Sequence, residues 1–490
     1  MAELSYLPEN HITLEEKKPF SHPILSKERE NIKTNNAPTI QSSRTWRFQE
    51  RPSHFDIPTM SKERDPLLGF FILFWIAMGF FLIQTFATNF KLTGHIASSY
   101  LFSVLSKDLG SLFISDMVLI AATFISWAIH KAIVNRWFHR EYTGIIIQHI
   151  YQTSYLALAI SWAYWKNWPW IQTSFFVMHA ISNLMKVHSY LCYNGELSVH
   201  YDRLKALKKE EAILIEAQKK QDQEVDEEAV LKLKEEIANT RANLKTGNTQ
   251  YPDNVTVKNF WEYLLFPTLV YELEYPRTKS IRPWYIFEKC LALLGTFMLL
   301  YVLVEQQIIP VLKDSVEDTF VLYTVLQLIF PFMLIHLLVF YIIFECICNG
   351  FAEISRFADR QFYDDWWNSA IFDEYARKWN RPVHLFLLRH VYLNTIETYK
   401  LSKKSATYLT FLLSSCLHEL VMVIITRRFR PYLFFLQMFQ IPLIWLGRRP
   451  IVLRYKWLGI AIFWLGIMSG IPLLSVLYCR QLMKEAMANS

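Results

Sequence analysis

One pair of residues in this chain of 490 could do acid–base chemistry where water is scarce. His418 and Glu419 are adjacent near the middle of Thr407–Thr426, an apolar run long enough to cross a bilayer as a helix. Ionisable side chains at membrane depth are costly and mark functional positions. Neighbours on a helix point about 100° apart, so this pair cannot satisfy itself, and each member needs a partner or a cavity. A neutral imidazole can accept a proton, the task of a general base. Ser414 lies one turn earlier on the face of His418. Cys416, two residues before the histidine, could act as a nucleophile, but it points to a different face. Other polar residues in apolar runs are Asp116, Gln148, His149, His179, Glu288, His336 and Glu345. Most read as interhelical hydrogen-bonding groups, and a lone His336 reads as packing.

A second constellation is Phe362-Tyr363-Asp364-Asp365-Trp366-Trp367-Asn368, followed by Trp379-Asn380-Arg381-Pro382-Val383-His384. Tryptophans interleaved with charges suit a membrane–water interface. Arg377, Lys378, Arg381, His384 and Arg389 in the same stretch could also meet a phosphate-bearing ligand from the cytosol.

The elements that hold these residues follow from composition. The chain is 52 % hydrophobic and only 19 % charged, with positive mean hydropathy. That excludes a soluble enzyme and a disordered chain and points to an all-α polytopic membrane protein. Nine apolar runs are candidate spans, at about 69–88, 111–130, 143–165, 171–190, 284–304, 319–345, 407–426, 431–446 and 457–478. They are continuously apolar, which suits helices and not the alternation of a barrel. The sixth is long enough to tilt or break near Pro331. Lys and Arg in alternate loops place the N-terminus in the cytosol and the C-terminus in the lumen. Arg427, Arg428 and Arg430 dissent, since they fall on the lumenal side.

Residues 1–66 are polar, proline-rich and neutral, and read as a flexible cytosolic tail without a signal peptide. The remainder, 67–490, reads as the membrane domain, interrupted at 201–258 by a charged cytosolic insert. Its 201–246 part reads as a solvated helix or helix pair with i,i+4 ion pairs. The net charge is +7; the tail is neutral and the insert is −1, so a surplus of +8 lies among the apolar segments, and no basic stripe suggests nucleic acid as a partner. Six scattered cysteines (Cys192, Cys290, Cys346, Cys348, Cys416, Cys479) give neither a disulfide framework nor a C-x-x-C zinc motif, so no metal is expected.

Phe-Tyr-x-Asp-Trp-Trp-Asn at 362–368, Trp-Asn-x-x-Val-His at 379–384 and the intramembrane His418-Glu419 together resemble the membrane-bound O-acyltransferase family. The likeness covers about residues 250–480, through Tyr251-Pro252, Phe266-Pro267, Tyr275-Pro276-Arg277 and Phe357. It is similar to the branch holding sterol O-acyltransferases and acyl-CoA:diacylglycerol acyltransferases. His384–Tyr392 and Leu412–Met422 look most like the fungal sterol enzymes. The resemblance implies a nine-span protein of the endoplasmic reticulum that forms steryl esters, a lipid-droplet cargo. It makes acyl-CoA a co-substrate, requires no cofactor, and implies a membrane sterol as acceptor and a homodimer or higher homo-oligomer. His418 becomes the catalytic histidine, with Glu419 of the same motif also taken as catalytic and Asn380 assisting at the reaction centre. Phe362, Tyr363, Asp365, Trp366, Trp367 and Asn368 fall in the acyl-CoA-binding region. Arg377, Trp379, His384, Tyr392 and Ser414 match positions along the acyl-CoA tunnel.

Three rivals are open at this level. Cys416 could form an acyl-enzyme, and diacylglycerol could be the acceptor. A proton-coupled transporter would use the same intramembrane ionisable residues, but it calls for internal repeats and paired broken helices, and the sequence has neither.

Overall fold

Lipid offers a peptide group no hydrogen bond, so an apolar run must satisfy its backbone internally and fold as a helix. The computed structural model describes residues 48–56, 68–94, 99–219, 227–316 and 320–488, and each of the nine apolar runs is mostly helical where described, the eighth as two short helices, Tyr432–Met438 and Gln440–Gly447. Among the described residues five helices are long and apolar enough to cross a bilayer: Leu101–Val134, Pro283–Asp314, Val321–Ser355, Lys403–Thr426 and Lys456–Arg480. Tyr432–Gly447 is apolar but shorter. Leu68–Thr93, Ile145–Lys166 and Trp170–Lys219 coincide with the other three runs. Among the described residues the only strands are Lys245–Thr246 and Thr249–Gln250, a small antiparallel hairpin. The fold is all-α and polytopic.

Several helices are not uniform. Wider π turns occur at Arg140–Gly144, Val304–Ile308, Tyr341–Cys348 and Leu387–Leu393. Pro331 does not break its helix, which runs on from Val321 to Phe340. The change of geometry expected there comes ten residues later, at Tyr341–Cys348. A proline removes one donor, and the flanking turns of a transmembrane helix can absorb that loss.

Trp170–Lys219 is a single helix of 50 residues, about 75 Å long, and extends well beyond ~30 Å of hydrocarbon. Its charged end packs against Glu227–Asn243, with an Arg203–Glu236 ion pair between the two helices and Lys232–Glu228 at i,i+4. The insert therefore holds a helix pair, with 220–226 outside the described residues.

Most of the N-terminal tail, 1–47 and 57–66, lies outside the described residues. Residues 48–56 do not behave as a free tail. Arg51 N donates to Ala358 O (3.0 Å) and Arg51 O accepts from Arg360 N (2.8 Å), while Phe48 packs on Tyr275 and Phe357. Polarity made this stretch look solvated, yet Arg51, Ser53 and Asp56 bond to specific partners inside the fold.

The largest core joins the middle of Trp170–Lys219 to the 251–276 loop and to the segment after Val321–Ser355. It contains Tyr190, Tyr193, Tyr251, Phe260, Tyr263, Tyr271 and Phe357. A partly buried lysine helps hold it. Lys186 Nζ donates to the carbonyls of Tyr263 (3.2 Å), Leu264 (2.8 Å) and Phe266 (2.6 Å), at the C-terminal end of the helix Val257–Leu265. Cations stabilise that end of a helix, where carbonyls lack intrahelical partners. Lys186→Met should leave the Leu264 carbonyl without its donor, Phe266 N and Thr268 N still reaching the other two, and destabilise the fold by about 1–3 kcal/mol. The expected result is a lower Tm for the detergent-solubilised variant.

Candidate active site

His418 sits two-thirds of the way along Lys403–Thr426. Its Nδ1 lies 2.8 Å from the Ser414 carbonyl oxygen, one turn back. A carbonyl can only accept, so Nδ1 carries the proton and Nε2 holds the lone pair. The ring is exposed, and Nε2 makes no hydrogen bond among the described residues. Glu419 has the opposite fate. Its buried carboxylate accepts from Tyr478 Oη (3.0 Å) and from Phe434 N (2.9 Å). It thereby joins Lys403–Thr426 to the start of Tyr432–Met438 and to the C-terminal helix Lys456–Ala488. The adjacent pair divides into an open base and a tethered acid.

Asn380 caps the short helix Arg381–Phe386, and its Oδ1 accepts from Val383 N (3.2 Å). With Oδ1 so engaged, the amide NH2 is the group left to donate. This helix runs into Leu387–Leu393, which packs against Lys403–Thr426, so the two stretches singled out by sequence belong to neighbouring elements.

The 362–368 heptapeptide is tied to Asn380 by its backbone. Arg381 N donates to Phe362 O (3.0 Å), and Asp364 N donates to Lys378 O (2.9 Å). Phe362, Tyr363 and Trp366 point inward, each at most 2 % exposed. Trp366 meets Trp379 (4.9 Å between ring centroids), Phe340 (5.3 Å), His336 (5.6 Å), Trp464 (5.8 Å) and Tyr375 (5.9 Å). Trp367 and Asn368 are exposed, while Asp365 pairs with Lys378 (2.8 Å). Burial favours the neutral form of Asp365, but Lys378 prevails and holds its pKa below the usual carboxylate range.

The C-terminal helix clamps the end of this segment through two glycines. A Cβ at Gly459 would lie 2.7 Å from Ala370 O, and one at Gly466 would lie 2.6 Å from the Phe372 ring. Trp464 Nε1 also donates to Trp367 O (3.2 Å).

The basic residues of this stretch are unequal. Arg389 is committed to Glu272 (2.5 Å). Arg377 is half exposed and shares Asp373 with Arg448. Arg381 lies near Asp364 (3.7 Å). His384 is largely enclosed, and burial followed by the charges of Arg377 and Arg381 pulls its pKa down to about 4. Tyr392 is half buried, with no hydrogen bond among the described residues. Of the expected tunnel positions, Trp379 and His384 thus connect directly to Asn380, and Ser414 connects to His418 through its carbonyl.

Two supporting groups, His336 and Glu345, stood out in the sequence only as polar residues in apolar runs, with nothing to tie them to this site. His336 stacks on Trp379 (4.4 Å, 13° between planes), and its Nε2 is buried without a partner. It borders a small apolar cavity with Phe332, Met333, Trp464, Met468 and Pro472. Its polarity within an apolar helix was the signal, but packing explained it equally well. Glu345 is fully buried and accepts from Ser53 Oγ (2.5 Å), Tyr363 Oη (2.7 Å) and Asn349 Nδ2 (3.1 Å), with Lys289 Nζ at 3.7 Å. It fastens residues 48–56 to the heptapeptide.

Comparison with known proteins places this geometry in context. Residues 132–480 match MBOAT, the membrane-bound O-acyltransferase family. The chain is 38 % identical over 426 residues to a probable sterol O-acyltransferase 2 of Schizosaccharomyces pombe, covering 84 % of this chain and 86 % of that protein. It is 33 % identical over 455 residues to sterol O-acyltransferase 2 of Candida albicans, covering 84 % and 74 %. A diacylglycerol O-acyltransferase 1 of Dictyostelium discoideum is 34 % identical over 246 residues, covering 49 % and 39 %.

Two predictions follow from the geometry. Glu345→Ala leaves three donors without their acceptor and should cost about 1–3 kcal/mol, read as a lowered Tm. For His384 the unfolded chain binds more protons than the folded one between the folded pKa of about 4 and the ordinary 6.5. Stability from this group is therefore complete above 6.5 and lost as pH falls towards 4. In His384→Gln the decline of Tm over that window should be shallower than in the parent, as a thermal-shift series at stepped pH would record.

Proposed function

Because this chain belongs to the membrane-bound O-acyltransferase family, we propose that it transfers a long-chain acyl group from acyl-CoA to the hydroxyl of a membrane sterol. The observation that carries the mechanism is the open Nε2 of His418, whose tautomer is set by the Ser414 carbonyl. Nε2 takes the sterol hydroxyl proton as the oxygen attacks the thioester carbonyl. The carbon–sulfur bond breaks, and the CoA thiolate leaves with the proton returned by the imidazolium. The Asn380 amide donates to the carbonyl oxygen as charge builds there, a contribution of about 2.7–4 kcal/mol if preorganised. Glu419 positions the helix and stays out of the proton path.

Acyl-CoA approaches from the cytosol, its phosphates meeting Arg377 and neighbouring basic groups of the 362–392 stretch, with Trp367, Trp379, His384 and Tyr392 along its route. The sterol enters sideways from the bilayer. The transfer is direct, because Cys416 is two residues from His418 and turned from it. The enzyme resides in the endoplasmic reticulum membrane with its N-terminus in the cytosol, and works as a homodimer or larger homo-oligomer without a dissociable cofactor.

A second reading keeps the chemistry and takes diacylglycerol as acceptor, favoured by the partial likeness to the Dictyostelium protein. Purified enzyme given labelled oleoyl-CoA with each acceptor separates them, and steryl ester should dominate. His418→Ala should lose at least about 10²-fold in rate, the scale of general-base catalysis. Cys416→Ser should stay near normal. Near-normal synthesis by the histidine variant, or none by the serine variant, overturns the mechanism.

A further inference from the structure

His188, Cys192 and His390 converge on one another, and none of the three is given a part in acyl transfer above, although His390 shares its turn with Tyr392. The first two lie one turn apart on Trp170–Lys219, and the third comes from Leu387–Leu393. One donor atom from each lies within 4.8 Å of the other two. His188 Nε2 and Cys192 Sγ are 3.4 Å apart. Two ligands at ~2.05 Å and ~2.3 Å from a tetrahedral Zn²⁺ would be separated by about 3.5 Å. The spacing is already that of a coordinated pair.

The surroundings fix each donor as outer-sphere partners fix metal ligands. His188 Nδ1 lies 3.2 Å from Gln152 Oε1, so the ring donates there and leaves the Nε2 lone pair towards the sulfur. Arg140 Nη1 donates to Gln148 Oε1 (2.7 Å), and Gln148 must then turn its NH2 to Cys192 Sγ (3.4 Å). His390 Nε2 contacts Ser189 Oγ (2.8 Å), which leaves Nδ1 as its uncommitted nitrogen. The donors are two imidazoles and a thiol, with no carboxylate among them. Such a set selects Zn²⁺ or Cu⁺ over Mg²⁺ or Ca²⁺.

We propose that His188, Cys192 and His390 bind one Zn²⁺ through two imidazole nitrogens and a thiolate, with the fourth position open to water. The ion cross-links the long helix to the turn that follows the Asn380 helix and packs on the His418 helix. Binding displaces the thiol proton to solvent, and no redox step is involved.

The test uses the full-length protein purified in detergent without chelator. Elemental analysis should find about one zinc per chain, and added Zn²⁺ should raise the Tm of chelator-stripped protein. Exchange with Co²⁺ should give a thiolate-to-cobalt charge-transfer band. Cys192→Ser and His390→Gln should lose the band and the Tm response while retaining the parent helical circular dichroism. Zinc well below stoichiometry, with no band and no Tm response, overturns the site. So does a band that survives in Cys192→Ser. These readouts do not depend on the acyl acceptor or on His418.

Discussion

The half of the chain that bears the candidate chemistry is assembled around one indole. Trp366 is buried to 1 % and touches rings from Val321–Ser355, from the 375–379 stretch and from the C-terminal helix. Aromatic contacts of this kind add ~0.5–1.5 kcal/mol each beyond the area they bury, and they fix orientation because edges prefer faces. The loop carrying the heptapeptide has little regular structure of its own, only a single 3₁₀ turn at Trp366–Asn368. Its shape comes from the rings it inserts between helices, and Asn380 inherits its place through the two backbone bonds to that loop.

Polar groups at membrane depth follow the same economy. Water cannot rescue an unpaired buried carboxylate there, and the buried Glu419 and Glu345 are both matched by donors. Glu419 gathers a hydroxyl and an amide, and Glu345 gathers two hydroxyls, an amide and an ammonium. Both act as cross-links among helices that apolar contact alone would allow to slide. His418 differs from both, with one nitrogen bound and the other left open on an exposed ring. An intramembrane group without a partner is the kind expected to meet a substrate.

Much of this was legible in the sequence, because the informative residues are close together in it. The apolar runs fold as helices, and the heptapeptide, Asn380 and His418-Glu419 fall on elements packed together. What could not be read depends on partners far apart along the chain. Ser53 and Glu345 are 292 positions apart, and Ser189 and His390 are 201. Periodicity and local spacing hold no trace of such pairings. The helix turns His418 and Glu419 apart, as their adjacency requires, but which partners each would meet was not legible.

The π turns bear on how this chain tolerates change in length. Each accommodates one residue more than an α-helix would, and so shifts the angular phase of everything beyond it by about 100°. Tyr341–Cys348 lies between the ring contacts of Phe340 and the buried Glu353, and Leu387–Leu393 lies between His384 and the approach to the His418 helix. Losing a single residue from either turn would leave no gap in the helix. It would act as a rotation, swinging one face of the reaction machinery away from the other while every hydrogen bond of the helix still closed.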